Sequence, residues 1–425
     1  MSVRISLLPK NPLFTESHDM LNRLKNLRKE YPGQFWILFV GMLVSTIGQS
    51  MIWPFLMIYV SKKLELPLAQ TASLVSLNAV MGLIFSFVAG PIIDRLGRKW
   101  VMVLSLVGNG IMYYFMSTAT QYYQFAMAQC LMGALNPLYR VGADAMMADL
   151  IPTEKRTDAY SLLRMSNNAG VAIGPAIGGI VASSSYTLAF YIAAVSLSFY
   201  GFLIAFRAKE TLPAGVAETF KGKSIFSGYG QIFRHKEFMG FVGAFTLTSM
   251  LASMVWVLLP VYSNTNFGLP ESQYGLIPTT NAIMVVTLQF AVTLITRRHK
   301  SMPVMLVGTI FYAIGTAMIA LFSGFWGFWF CMVVMTIGEL VLIPTATTYT
   351  ANAAPLEMRG RYMSVYGLTN SIASGVAPIV GGLLSDQLGP RTIWYGGGVI
   401  GAMAILAFLW LVLRAKREMS SALNV

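Results

Sequence analysis

Four ionisable side chains fall inside long apolar stretches of this 425-residue chain: Arg140, Asp144, Arg164 and Glu339. A charge surrounded by apolar chain is expensive, so each needs a reason to be there. Glu339 has no counter-charge within a helical turn. A carboxyl group desolvated in that way can take up and give back a proton near neutral pH. The alternative is a permanently protonated Glu held by a hydrogen bond to a neighbouring helix. All three histidines, His18, His235 and His299, lie in polar segments, so any proton carrier deep in the apolar region must be a carboxylate. Gln129, Asn136, Arg140 and Asp144 follow at steps of seven, four and four, which lines them along one helical face. Two readings of that face stay open. Arg140 and Asp144 neutralise one another across a turn, or Arg140 holds a substrate or sets the protonation of Asp144 or Glu339. Arg164 sits within two turns of a stretch end and can snorkel to the surface.

These side chains are carried by twelve apolar stretches: 35–60, 69–93, 99–119, 122–148, 158–184, 186–207, 237–263, 271–297, 301–323, 325–351, 360–386 and 390–414. Each is long enough to cross ~30 Å of hydrocarbon. With 56% hydrophobic and 11% charged residues, the composition is that of an all-α integral membrane protein. The net charge of +13 does not point to nucleic acid. With the N-terminus in the cytoplasm, all but five of the 30 Lys and Arg fall in inside segments; Lys62, Lys63 and Arg391 lie outside, and Arg140 and Arg164 within spans. That asymmetry places both termini in the cytoplasm. Cys130 and Cys331 fall within spans, so no disulfide framework is implied. The first apolar run begins near residue 35 and is too long for a cleavable signal. Met20–Glu30 reads as a basic amphipathic helix at the inner surface or as a disordered tail. No metal-spaced His/Cys cluster and no Ser/His pair at one membrane depth is found, so no enzyme, metal or cofactor is expected.

The chain also repeats itself at an offset of 203 residues. Trp53, Leu66, Pro67, Asn78 and Met81 meet Trp256, Leu269, Pro270, Asn281 and Met284; Pro152, Asn167, Pro175 and Gly179 meet Pro355, Asn370, Pro378 and Gly382. The expected organisation is an N-terminal tail (1–34), a six-helix bundle (35–207), a polar linker (208–236), a second six-helix bundle (237–414) and a C-terminal tail (415–425). The linker holds Gly222-Lys223-Ser224, the tail of a phosphate loop, but Ala217 stands where that loop requires Gly and no strand precedes it. ATP hydrolysis by this chain is not expected.

Between the second and third stretches runs Gly90-x-x-x-Asp94-Arg95-x-Gly97-Arg98-Lys99. This spacing resembles the signature loop of the major facilitator superfamily of transporters. The resemblance covers residues 35–414 and implies twelve spans in two pseudo-symmetric six-helix bundles around a midplane site. It also implies that Arg98 bridges Asp94 and Asp149, and that Asp94 meets the N-terminal end of span 11 near Arg361, as a cytoplasmic gate between the halves. Gly170-x-x-x-Gly174-Pro175-x-x-Gly178-Gly179 resembles the antiporter motif of drug/proton exchangers, where small residues let helices approach closely. Ile337-Gly338-Glu339-Leu340 followed by Pro344 resembles span 10 of proton-coupled drug exporters, in which the Glu takes part in proton and substrate handling. Many such exporters carry Arg where this chain has Gln129, so the usual span-4 proton relay is either missing here or taken over by Arg140 from two turns deeper.

In that fold spans 1, 4, 7 and 10 line the cavity. The expected lining is then Gln49, Trp53, Gln129, Asn136, Ser253, Trp256 and Glu339. Aromatic faces with one or two carboxylates suit amphipathic cations. The expectation is a monomeric multidrug-type antiporter in the cell (inner) membrane, exporting hydrophobic or cationic small molecules. Protons are the coupling ion, and Glu339, Asp144 and Arg140 do the coupling. Export of a specific metabolite, lipid flipping and a non-transporting receptor or scaffold are the alternatives.

Overall fold

The computed structural model describes residues 30–152, 155–212, 229–355 and 358–423, and all regular structure among them is helical. The first half holds span 1 (Gly33–Leu64), span 2 (Leu68–Leu96), span 3 (Arg98–Thr118), span 4 (Tyr122–Leu150), span 5 (Arg156–Ser184) and span 6 (Tyr186–Arg207). The second half holds span 7 (Lys236–Phe267), span 8 (Glu271–Thr296), span 9 (Ser301–Leu321), span 10 (Phe325–Ala353), span 11 (Arg359–Leu388) and span 12 (Thr392–Leu423). Apart from Glu30, the expected helix at Met20–Glu30 lies outside the described residues, as does most of the linker.

Ten of the twelve are long and apolar enough to cross a membrane. Spans 4 and 5 are 29-residue helices that fall short of that apolarity. The reason is local: span 4 carries Gln129, Asn136, Arg140 and Asp144, and span 5 carries Arg164, Asn167 and Asn168. Of these, Gln129, Asn136, Arg140, Asn167 and Asn168 turn toward the interior of the bundle. The outer surface is apolar instead. Phe206, Phe290, Leu321, Trp326 and Val399 are each more than 60% exposed, which lipid tolerates and water does not.

The two halves use the same packing pattern. In the first, span 2 packs on 4, 3 on 6, 1 on 5, 3 on 4 and 1 on 6; in the second, 8 on 10, 9 on 12, 7 on 11, 9 on 10 and 7 on 12. The halves join through span 2 on 11 and through span 5 on 8. The repeat therefore extends to the interface. The hydrogen bonds and ion pairs that join the halves among the described residues are Lys62–Glu271, Tyr186–Glu271, Asp386 with Leu68 and Ala69, and Thr279–Ala172. All lie toward the face opposite the one where span 1 begins at Gly33.

Span 1 departs from expectation. It is broken into Gly33–Ile52 and Leu56–Leu64 with a turn over residues 53–55. Pro54 has no N–H to continue the ladder. Its counterpart span 7 has Val257 at the matching position and runs unbroken as Lys236–Phe267. In span 5, Gly170, Gly174 and Gly178 lay that helix against Thr46, Ser50 and the Met51 backbone of span 1. Gly179 faces the other way, onto the backbone of Glu271, and Gly275 sits against the Pro175 carbonyl. The motif thus serves both the first half and the seam between halves.

In lipid such packing replaces the hydrophobic drive between helices. We predict that Gly178→Ala, which puts a methyl into backbone, costs about 1–3 kcal/mol. Gly90→Ala, where an added methyl meets nothing, should leave the melting temperature in detergent within ~1 °C of wild type.

Candidate functional site

A two-lobed cavity lies at the centre. One lobe, of about 710 Å³, is lined by both halves; the other, of about 580 Å³, extends mainly into the first half. Trp53, Asn78, Asn136, Arg140 and Trp256 belong to both lobes. The break in span 1 leaves Trp53 with 47% of its surface exposed, and its ring meets that of Trp256 at 5.6 Å between centroids. These repeat-related indoles come from opposite halves. All seven expected lining residues are present: Ser253 and Glu339 in the first lobe, Gln49 and Gln129 in the second, and Trp53, Asn136 and Trp256 in both. The lining is wider than spans 1, 4, 7 and 10. Spans 2, 5, 8 and 11 add Asn78, Asn168, Asn281 and Asn370.

Glu339 does have a mate, supplied by another span. Asn281 Nδ2 donates to Glu339 Oε2 at 2.8 Å and to Thr336 Oγ1 at 2.9 Å. The signal for this was in the repeat. Asn281 matches Asn78, and Glu339 matches Asn136, so one Asn/Asn pair and one Asn/Glu pair occupy equivalent places. Asn78 instead donates to the Gln129 carbonyl at 3.1 Å. Arg140 lines both lobes. Asp144 lines neither, and its backbone carbonyl accepts from Tyr160 at 3.0 Å. The two side chains make no ion pair within 4 Å, so the neutralised-pair reading fails at contact distance, although Arg140 still acts electrostatically on Asp144. Arg164 is exposed and lines neither lobe.

At the face carrying the termini, Arg98 forms an ion pair with Asp149 and donates to the Ala145 carbonyl at 3.3 Å. Both partners belong to the first half, so this pair ties span 3 to span 4 rather than half to half. The Asp94 side chain, with its expected contacts to Arg98 and span 11, lies outside the described residues. Arg95 is exposed, and a methyl on Gly90 would meet nothing. Gly97 adopts φ +87°, a left-handed conformation suited to glycine.

That turn is clasped by Glu210, which the sequence motif does not contain. Its carboxylate accepts from the backbone N–H groups of Arg98, Lys99, Thr211 and Leu212 at 2.9–3.1 Å, capping the N-terminus of span 3. Arg156 caps the other end of the pair, donating to the Ile151 and Ala148 carbonyls that close span 4.

At the opposite face a second set of contacts bridges the halves. Lys62 Nζ lies 2.8 Å from Glu271 Oε1, and Tyr186 donates to the same oxygen at 2.7 Å. Asp386 accepts from the Leu68 and Ala69 N–H groups at 3.0 and 2.9 Å, so span 11 caps span 2. No short-range pattern marks these residues, which meet only when the halves do.

The family model of the Major Facilitator Superfamily matches residues 38–298 and again 241–424. This chain belongs to the major facilitator superfamily. It is a multi-pass membrane protein of a transporter family. It is similar to a Na(+), Li(+), K(+)/H(+) antiporter of Planococcus maritimus, at 25% identity over 90% of this chain and 96% of that protein. It is also similar to multidrug resistance protein MdtH of Escherichia coli O1:K1 / APEC, at 24% identity over 89% of this chain and 94% of that one. Among solved structures, a mutant of the nucleoside transporter NupG shares the fold at a TM-score of 0.78 with 12% identity, covering 89% of this chain and all of that one.

In this facilitator the polar contacts that bridge the halves among the described residues include those of Glu271 and Asp386, on one face. Glu271→Gln removes the charge of the buried member of a pair whose other member, Lys62, is half exposed, a loss of about 1 kcal/mol. A thiol at position 253, placed by Ser253→Cys with Cys130 and Cys331 replaced by Ser, should then react about fivefold faster with an impermeant reagent from that face. For Glu210, burial raises the carboxyl, but its four backbone donors outweigh that and hold it below the usual range. Its stabilisation is full above the ordinary carboxylate pKa and is lost as pH falls through the lowered one. Melting temperature plotted against pH should therefore fall less steeply at the acid end in Glu210→Gln.

Proposed function

We propose that this chain is a proton-coupled antiporter that exports a small organic molecule with a cationic group by alternating access. The observation that carries this reading is Glu339, a carboxylate in a cavity shared by both halves, held by an amide and, among the described residues, by no cation within ion-pair reach. A carboxylate there has two competing ligands, a proton and the cationic end of a substrate. Asn281 suits both states. Its amide N–H donates to the carboxylate, and its carbonyl oxygen can accept from the protonated acid. Proton arrival removes the charge that held the substrate and so drives release.

In this reading the chain sits in the cell (inner) membrane with both termini in the cytoplasm, following the distribution of Lys and Arg. The face bridged by Glu271 and Asp386 is then the outer one, which fits an inward-facing conformation. The coupling ion is the proton, with no other cofactor. The partners are the substrate, protons and the bilayer, and the working unit is a monomer. Asp144, off the lining and attracted by Arg140, is a relay between Glu339 and the cytoplasmic face rather than a substrate contact. The similarity to an alkali-cation/proton antiporter offers a second reading. A cavity of about 710 Å³ faced by two indoles favours an organic molecule over a bare ion, which needs a close cage of oxygens.

The test uses inverted vesicles energised to an acid lumen and a panel of cationic and zwitterionic dyes. Wild type should accumulate at least one dye in a gradient-dependent way, and Glu339→Gln should fall to the uncoupled background. Export by Glu339→Gln equal to wild type overturns the proton role. Gradient-driven exchange of Na+ or K+ with no dye movement favours the second reading.

A further inference from the structure

We infer that Arg140 is an anion subsite and that the transported molecule is a zwitterion, its carboxylate on Arg140 and its ammonium group on Glu339. This deepens the antiport reading and rests on it. Arg140 lies ten residues before the end of span 4 at Leu150, which is ~15 Å along the helix axis. That is nearly three turns inside the helix rather than at its end. It lines both lobes, so its guanidinium belongs to the junction between them.

Among the described residues Arg140 makes no hydrogen bond and no ion pair. The nearest candidate, Asp144, stands one turn toward the termini, lines neither lobe and acts on it only at longer range. A guanidinium offers five donors in a planar fork and is matched by a carboxylate. Arg98 shows what this chain does with an arginine it uses structurally: that side chain is paired with Asp149 and with a backbone carbonyl. Arg140 is left open to the cavity.

The lobe shared by the halves thus carries one cation, Arg140, and one carboxylate, Glu339. A simple lipophilic cation entering it would gain from Glu339 and be repelled by Arg140. A simple anion would meet the reverse. Only a neutral molecule with separated charges satisfies both groups, and the like-charge cost on each side discriminates against the others. The rest of the lining agrees. Asn78, Asn136, Asn168, Asn281 and Asn370 offer amides that both donate and accept. The Trp53/Trp256 pair supplies an apolar and aromatic surface for the body of the molecule.

The experiment measures binding to the purified full chain, by thermal shift and calorimetry. The probes are amino acids with apolar or aromatic side chains, short dipeptides of the same residues, and the C-terminal amide and N-acetyl form of each. At least one zwitterion should bind wild type ten or more times more tightly than its amide and its N-acetyl form, since a charge-assisted pair is lost in each. Arg140→Gln should abolish the preference over the amide, while Glu339→Gln should abolish the preference over the N-acetyl form. Arg140→Lys, which keeps the charge without the fork, should retain part of the preference, and serves if the Gln variant does not fold. Amides binding wild type as tightly as zwitterions, no probe binding, or an unchanged preference in both Arg140 variants overturns the proposal. Proton-driven efflux that needs Glu339 alongside an unchanged preference in the Arg140 variants leaves antiport standing and removes only the anion subsite. Zwitterion preference without proton-driven flux removes antiport alone.

Discussion

A bilayer offers no hydrogen-bond partner to a buried polar atom, and the arrangement of this protein follows from that constraint. Spans 4 and 5 are the two of the twelve that fall short in apolarity, and they turn Gln129, Asn136, Arg140, Asn167 and Asn168 inward. Their inward faces require water or substrate on the other side, and the two-lobed cavity provides the room. Spans 2, 8 and 11 add asparagines to the same space. The outer surface is left to bare apolar side chains. The cavity is therefore the condition under which these polar spans can exist in a membrane, and its chemistry comes with it.

The repeat determines how that chemistry is distributed. Both halves pack their helices in one pattern and meet through equivalent pairs, span 2 on 11 and span 8 on 5. Within that symmetry the side chains diverge. Asn136 in one half is Glu339 in the other, and Arg140 matches Ile343. One half contributes the positive charge and the other the titratable acid, so neither half alone forms the site. The helix break at Pro54, absent from span 7, presents Trp53 to its partner Trp256 and is a further departure from symmetry.

Much of this was legible in the chain. Apolar run lengths marked the spans, the 203-residue offset marked the halves, and steps of four along span 4 placed Asn136 and Arg140 on one wall. All seven expected lining residues reach the cavity because helical periodicity fixes which face a residue occupies. What escaped reading depends on distance in sequence. Glu210 grips a turn more than 100 residues earlier, and Lys62 meets Glu271 some 209 residues on. No local pattern encodes such meetings. Asn281 beside Glu339 was recoverable, since the repeat maps both onto a pair of asparagines. The family resemblance put Arg98 and Asp149 in a gate between the halves, but both belong to the first half and their pair joins span 3 to span 4.

The cap that Asp386 places on the first turn of span 2 has a consequence for how easily the two halves can separate there. Its two bonds sit at a helix end near the membrane surface, where water can take over both the amides and the carboxylate when the halves part. Separation then exchanges one set of hydrogen bonds for another of similar strength, with no buried polar group orphaned along the way. A fastener built like this holds orientation without adding much to the barrier. In the alternating access proposed above it can be undone and remade, together with the glycine contacts beside it, where Gly382 lies against the backbone of Ala69.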